Sequence, residues 1–182
     1  TAKGAALGTG TTMDFEMIGG THELLPNDVL QELMHKSLSQ VGGFDYTTTE
    51  NEFAKRIAET LGKPLDMAFV NGVEPYDPNA LPMGSTDVGD VSFTVPTAGM
   101  GAATWVPGTP AHSWQAVATG GTSIGNKGML VAAKTLALTA FKLLDNPKIM
   151  EEAHAEFLEK RGVDFKYIPL LGDRSPALDY RN

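Results

Sequence analysis

The longest apolar stretch of the chain, MLVAAKTLALTAFKLL at residues 129–144, most strongly constrains how the chain can fold. It is shorter than the roughly 20 residues that a helix needs to cross a bilayer. Lys134 and Lys142 also interrupt it, and it contains several threonines. We therefore predict that a helix runs from about Ser123 to Leu144 and is buried inside a globular domain.

The composition narrows the class of protein. The chain has 182 residues, of which 42% are apolar and 20% are charged, which suits one globular domain with a real core. Its net charge of −8 and its lack of basic runs argue against binding to nucleic acid or to an anionic membrane surface. The absence of cysteine excludes disulfides and cysteine-ligated zinc, and fits a cytoplasmic protein.

The N-terminus has neither a starting methionine nor the apolar region of a signal peptide, so we expect the chain to be part of a longer protein. The spacing of apolar residues and the positions of glycine, proline and capping residues predict a mixture of helices and strands. Such a mixture favours an α/β fold. The expected elements are a helix end at 1–8, a strand at 11–19, a helix from Asn27 or Asp28 to about Val41, a helix with a Thr49–Glu52 capping box that stops at Gly62, a strand at 91–99, an extended piece at 102–108, the long apolar helix, and a helix capped by Asn146.

The stretch MGSTDVGDVS, residues 83–92, is a candidate for ligand binding. Gly84 and Gly89 flank Ser85, Thr86 and Asp87, and hydroxyl and amide groups next to glycine can hold a carboxylate. The alternative is a turn that starts a strand, in which these side chains bond their own backbone. A serine hydrolase is disfavoured, because G-x-S-x-G does not occur around Ser85.

Four histidines are candidates for metal ligands or catalysts. His35 and His154 are predicted to lie on solvated helix faces, and the turn around His22 leaves its role open. His112, in GTPAHSWQ, follows a strand-like segment and a Gly/Pro turn, where the sites of α/β proteins gather. It is either a functional residue or a structural histidine beside Trp114, and these residues alone contain no complete zinc ligand set.

Three motifs, in order, resemble a known family. GSTDVGDVSFTVPT, GTPAHSWQ and TSIGNKGMLVAAKTLALTAFKLL are similar to the C-terminal part of the amidohydrolase/carboxypeptidase family of metallopeptidases. The family includes aminoacylases, glutamate carboxypeptidases and auxin-conjugate hydrolases. The resemblance implies an α/β fold, the C-terminal half of a zinc-peptidase-like domain in which helices flank a sheet. Residues 1–22 would end an inserted lid (dimerisation) domain, and residues 23–182 would belong to the catalytic domain.

The resemblance also implies a chemistry. The family hydrolyses the amide bond of an N-acyl amino acid, such as p-aminobenzoyl-glutamate, with two divalent metal ions (zinc or manganese) and a glutamate general base. His112 matches the last metal ligand of the family, and Ser85, Thr86 and Asp87 match a loop on the substrate side. A homodimer, or a hetero-oligomer with a related subunit, is implied as well.

The chain departs from the family pattern in what it lacks. The upstream H-x-D ligands and paired glutamates of the family have no counterpart here, and HSWQ replaces the commoner HSP. We therefore expect no catalytic residue within these 182 residues, an incomplete metal site, and no hydrolase activity of this chain alone. The alternative is a non-catalytic binding or assembly module that kept the fold and lacks the metal site.

Overall fold

The computed structural model describes residues 1–80, 84–175 and 178, and its regular elements there are all α-helices. They are α1 (Ala2–Thr9), α2 (Asp28–Val41), α3 (Thr48–Leu61), α4 (Ala68–Asn71), α5 (Val88–Ser92), α6 (Trp114–Gly120), α7 (Ser123–Asp145) and α8 (Pro147–Arg161). Within these ranges, no helix combines the length and the apolar content that crossing a membrane requires.

The predicted α/β fold is wrong for the described residues, because they form no strand and no sheet. A strand is stable only when a neighbour takes up its backbone hydrogen bonds, and no described segment pairs with residues 11–19. The alternating pattern there has no buried face, since Phe15 is 67% and Met17 61% exposed.

The predicted strand at 91–99 is also wrong. Val91 and Ser92 end α5, and the helical pattern continues beyond it, because the N–H of Val95 donates to the Val91 carbonyl at 3.0 Å. Residues 102–108 form no regular element, although Val106 enters the core.

The predicted helices α2 and α3 are confirmed. Asn27 caps α2 by accepting from the Leu30 N–H at 3.0 Å, and its own amide donates to the Ala153 carbonyl at 2.8 Å. The capping box of α3 is formed by Thr47 and Glu50, two residues before the predicted pair.

Helices α2, α7 and α8 pack against one another and form the centre of the molecule. The Glu156 carboxylate of α8 accepts from the backbone N–H groups of Asp28 and Val29, at 2.7 and 3.0 Å, at the start of α2. Lys160 adds ion pairs to Asp28 and Glu156 at 2.8 and 2.7 Å. Burial raises the pKa of Glu156, but the hydrogen bonds from Lys160 and the two backbone groups outweigh it, so the pKa is lowered. A carboxylate from α8 therefore satisfies amides that α2 leaves free.

A second core lies between α3, α4 and the beginning of α7. It contains buried side chains from these helices and from the segments that lead into α3 and α6: Tyr46, Ala54, Ile57, Val70, Val106 and Ile124. This core holds the segment before α6 in place, and so fixes where the His112 turn begins.

The predicted long helix is confirmed as α7, but it is buried on one side only. Its buried residues are mostly small or polar, namely Ile124, Gly125, Gly128, Thr135 and Thr139. Several of its large apolar side chains face solvent, among them Met129, Leu136 and Phe141.

Candidate functional site

The candidate site centres on His112, which lies at the surface in the turn between the second core and α6. Among the described residues, His112 is the one non-glycine residue with a positive φ, at 58°. A left-handed backbone conformation costs an L-residue about 1–2 kcal/mol relative to the right-handed one. Such strain is held in place by surrounding structure and is enriched at functional sites.

Local hydrogen bonds hold the His112 turn. Gly108 has a φ of 81°, and the N–H of Thr109 donates to the Val106 carbonyl at 3.1 Å. Ser113 donates its hydroxyl to the Pro110 carbonyl at 2.7 Å and accepts from the Ala116 N–H at 3.2 Å. Because Ser113 caps α6 and closes the turn at once, the position of His112 is tied to that helix.

A shallow, open concavity of about 480 Å³ lies beside His112. Its walls are mainly apolar and include Trp105, Trp114 and Val117. Trp114 is 60% exposed, so its indole is available to a ligand or to another polypeptide. His112 therefore does not pack beside a buried indole, and its role as a ligand stays a prediction.

Ser85, Thr86 and Asp87 are exposed and precede the short helix α5. The Thr86 hydroxyl accepts from the Val88 N–H at 3.2 Å, and the Asp87 carbonyl accepts from the Asp90 N–H at 3.2 Å. Met83, the first residue of the motif, lies outside the described residues. No hydrogen bond or ion pair in the described ranges links this loop to the His112 turn.

The loop is anchored to residues 22–25 through α5. Asp90 accepts from the His22 N–H at 3.2 Å, and the Ser92 hydroxyl accepts from the Leu25 N–H at 2.9 Å. The backbones approach so closely at Gly89 that a Cβ there would overlap the His22 carbonyl oxygen. Glycine at this position is therefore a packing requirement.

His22, whose role the sequence leaves open, packs among aromatic rings. Its ring centroid lies 5.0 Å from that of Phe93 and 5.5 Å from that of Tyr167. Its Nε2 atom is buried without a hydrogen-bond partner in the described structure. Burial, followed by the negative charge of Asp90, raises the pKa of Tyr167. The other two histidines remain apart from this cluster: His35 stacks on Tyr76 and His154 on Phe157.

Glu50 forms a charged cluster that no local sequence pattern reveals. It accepts from Ser123 Oγ at 2.6 Å and from Lys127 Nζ at 2.5 Å, and so ties the start of α3 to the start of α7. Burial raises the pKa of Glu50, but these bonds and those from Thr47 outweigh it and lower the pKa to about 2. Burial, with the Glu50 charge, raises the pKa of neighbouring Tyr46 to about 12. Glu50 is buried and all the partners of its carboxylate belong to the chain itself, so we interpret the cluster as structural.

The described residues do not supply a complete metal site. Nowhere in the described ranges do three His, Asp or Glu side chains come together closely enough to hold a metal ion. His112 offers one imidazole, whereas a catalytic zinc ion takes about three protein ligands. The two-metal site implied by the family therefore does not fit these residues by themselves, and no step of catalysis through a metal can be assigned to them.

Comparison with known proteins confirms the resemblance that the motifs indicate. The chain is 33% identical over 202 aligned positions to one subunit of the p-aminobenzoyl-glutamate hydrolase of Escherichia coli (strain K12). The alignment covers 97% of this chain and 42% of that relative, so the chain spans less than half of the relative's length. No family profile and no solved structure matches the chain.

Proposed function

We propose that this chain, as a relative of a p-aminobenzoyl-glutamate hydrolase, forms part of a metal-dependent hydrolase of N-acyl amino acids. The observation that carries the proposal is the 33% identity to a hydrolase subunit over 97% of the chain. Within that frame, His112 is one metal ligand, and Ser85, Thr86 and Asp87 contact the substrate. The working protein is a cytoplasmic homodimer or hetero-oligomer.

The geometry of His112 supports its role as a ligand. A strained, exposed backbone conformation offers nothing to the core, but it does hold an imidazole at the rim of a concavity. Imidazole is the commonest metal ligand in proteins. On this proposal, the remaining ligands and the general base come from other residues of the working protein.

The loop before α5 carries hydroxyl groups that can donate to a substrate carboxylate. Thr86 uses a lone pair of its hydroxyl oxygen to accept from Val88, which leaves its O–H free to donate. Ser85 is exposed and one residue away. An N-acyl amino acid carries such a carboxylate, so the loop suits the amino-acid side of the substrate.

A second candidate function is a non-catalytic assembly module. It is favoured by the missing metal-ligand cluster in the described ranges, and by the relative being named as one subunit of its enzyme. In this case His112 would bind no metal in any natural context of the chain.

Metal content separates the two functions. We expect His112→Ala, made in the full-length natural protein, to weaken zinc or manganese binding at least 10-fold, because an imidazole donor disappears. Metal per protomer is measured by mass spectrometry after dialysis, with His154→Ala as the control, since His154 is exposed on α8. Unchanged metal content and an unchanged hydrolysis rate in His112→Ala would show that His112 is not a metal ligand.

The chain alone should be inactive. We expect no release of p-aminobenzoate from p-aminobenzoyl-glutamate by the purified 182-residue chain with zinc or manganese, because one imidazole does not hold a catalytic metal. Chromatographic detection of the product gives the result directly. Metal-dependent turnover by the chain alone would contradict this expectation.

A further inference from the structure

Asn71 and Gly72 form an asparagine–glycine pair, the one such pair in the sequence. The pair is chemically labile, because glycine has no side chain to hinder attack by its backbone nitrogen on the preceding side-chain amide. In that reaction the Gly72 nitrogen bonds to Asn71 Cγ, and ammonia leaves with the side-chain nitrogen and the proton of the Gly72 N–H. Water then opens the resulting succinimide ring at either carbonyl, which yields aspartate or isoaspartate.

Both reacting groups are engaged in the folded chain. The Asn71 side-chain amide donates to the Phe44 carbonyl at 3.0 Å and to Asp45 Oδ1 at 2.6 Å. The Gly72 N–H, whose nitrogen is the nucleophile, donates to the Ala68 carbonyl at 3.1 Å. Ring closure requires the Asn71 amide to turn towards Gly72 and the Gly72 nitrogen to give up its proton. All three hydrogen bonds must therefore break first.

The backbone of Asn71 is also held in an unreactive conformation. Asn71 is the last residue of α4, and the succinimide ring fixes ψ of the asparagine outside the helical range. A helix of four residues is not stable by itself, so α4 depends on its packing. Val70 is 1% exposed, and its carbonyl accepts from the Phe44 N–H at 3.0 Å. The reactive conformation is therefore reached only when α4 opens locally.

Modification of Asn71 would disrupt the contact between α4 and the segment before α3. Aspartate at this position lacks the N–H groups that reach Phe44 and Asp45, and it places a second carboxylate beside that of Asp45. Two carboxylates this close repel each other. The backbones have no room to rearrange inwards, because a Cβ at Gly43 would already overlap the Val70 carbonyl oxygen. The repulsion therefore separates the two segments.

We propose that Asn71 is a site of spontaneous deamidation, which the folded chain suppresses through these contacts and which local opening of α4 releases. The aspartate or isoaspartate product then hinders the closing of α4, so a reversible opening becomes a lasting one. Val70 of α4 and Val106, which precedes the His112 turn, belong to the same core. The modification therefore also loosens the support of that turn. The chemistry needs only water and the chain itself, so it does not depend on the proposed function.

The rate of modification tests the proposal, and it is measured in the full-length natural protein. After incubation, cleavage behind Glu59 and Glu74 releases peptide 60–74, and mass spectrometry detects the replacement of its amide by an acid. We expect the reaction to be about 10-fold or more faster in unfolding guanidinium chloride than in native buffer, because opening α4 is no longer required. Equal rates in the two conditions, or no reaction in guanidinium chloride, would overturn the proposal.

Three variants separate the contacts of Asn71 from general stability. Asp45→Ala removes an acceptor of the Asn71 amide, so the native rate should rise about 5-fold. Asp77→Ala is the matched control: this exposed aspartate accepts from the Asn79 N–H instead, and the rate should not change. Gly72→Ala should slow the reaction in guanidinium chloride, because a side chain hinders ring closure. Equal native rates in the two aspartate variants, or no slowing in Gly72→Ala, would contradict the proposal.

Asn71→Asp imitates the product and tests its effect on the fold. We expect amide exchange at Phe44 and Gly72 to become about 10-fold faster at pH 7, because the two carboxylates repel each other and favour the open state of α4. Adding Asp45→Asn restores an amide–carboxylate pair with the partners exchanged, so exchange should slow again. The proposal fails if Asn71→Asp exchanges as slowly as the wild type, or if the double variant exchanges as fast as Asn71→Asp.

Discussion

At the scale of the residue, His112 combines exposure with a left-handed backbone. The strain is not offset by burial, since the side chain lies at the surface. The sequence predicted the residue as a candidate but not its conformation, because nothing in GTPAHSWQ requires a positive φ at a histidine. That conformation follows from how Ser113 and Gly108 close the turn.

His112→Gly tests the strain. We expect the free energy of unfolding to stay equal or to rise by up to about 1 kcal/mol, because glycine adopts this φ without a Cβ penalty. Urea unfolding followed by circular dichroism measures it, with His112→Ala as the comparison that keeps the Cβ. A clear loss of stability in His112→Gly would mean that the imidazole itself stabilises the fold.

The contacts of Glu50 explain why the capping box of α3 was predicted two residues too late in the chain. The run TTTENE satisfies the capping-box spacing twice, as Thr47 with Glu50 and as Thr49 with Glu52. Local spacing cannot choose between them. The first pair forms because Glu50 also accepts from Ser123 and Lys127, which are 73 and 77 residues away along the chain.

Glu50→Gln should lower the free energy of unfolding at pH 7 by about 2 kcal/mol, because the buried charged carboxylate that pairs with Lys127 is lost. Urea unfolding at pH 7 measures the change. Glu32→Gln, which breaks an exposed ion pair with Lys36, should cost less than about 0.5 kcal/mol. Equal losses of unfolding free energy in the two variants would show that the Glu50 cluster stabilises the fold no more than an exposed ion pair does.

The same residue predicts a pH dependence. The folded-state pKa of Glu50, about 2, lies below its ordinary value, so its stabilising effect is complete above about pH 4.5 and is lost as the pH falls towards 2. Unfolding free energies measured at several pH values should therefore fall less steeply below pH 4.5 in Glu50→Gln than in the wild type. If the unfolding free energies of the wild type and of Glu50→Gln fell in parallel below pH 4.5, the lowered pKa of Glu50 would be contradicted.

At the scale of the element, periodicity and end signals predicted α2, α3, α7 and α8 well. These helices contain their own hydrogen bonds, so a local pattern is enough to specify them. The predicted strands failed because a strand depends on a partner elsewhere, and the described chain provides none for residues 11–19. The domain division at residue 22 stays a prediction.

Gly89→Ala probes the contact that anchors α5. We expect the unfolding free energy to fall by about 2 kcal/mol or more, because a methyl group would overlap the His22 carbonyl. Thermal unfolding gives the value. Gly8→Ala in α1 is the control: it meets open space and should stabilise by up to about 1 kcal/mol. An unchanged melting temperature in Gly89→Ala would show that the two segments are not packed together.

At the scale of the whole molecule, the chain keeps more of its surface in water than an ordinary domain does. An unfolded chain of this mass exposes about 28,000 Å², so folding buries about four-fifths of the area that a compact domain of this size would bury. The sequence predicted the long apolar helix but not that one of its sides is exposed. The apolar pattern of a helix is the same whether or not the rest of the chain packs over that side.

The denaturant dependence of unfolding should reflect this shortage of buried area. We expect the urea m-value to be about four-fifths of the value typical for 182 residues, since m scales with the area exposed on unfolding. Circular dichroism during urea titration measures it. An m-value typical of 182 residues would indicate that the chain buries more area in solution than this structure does.

The concavity beside His112 has one more consequence, which is optical. The chain contains two tryptophans, Trp105 and Trp114, and both line that concavity. All indole emission of the 182-residue chain therefore originates at this single surface. A polypeptide or an acyl group that excludes water there would shift the emission to shorter wavelengths. Binding at the concavity could therefore be followed by intrinsic tryptophan fluorescence, without an added label.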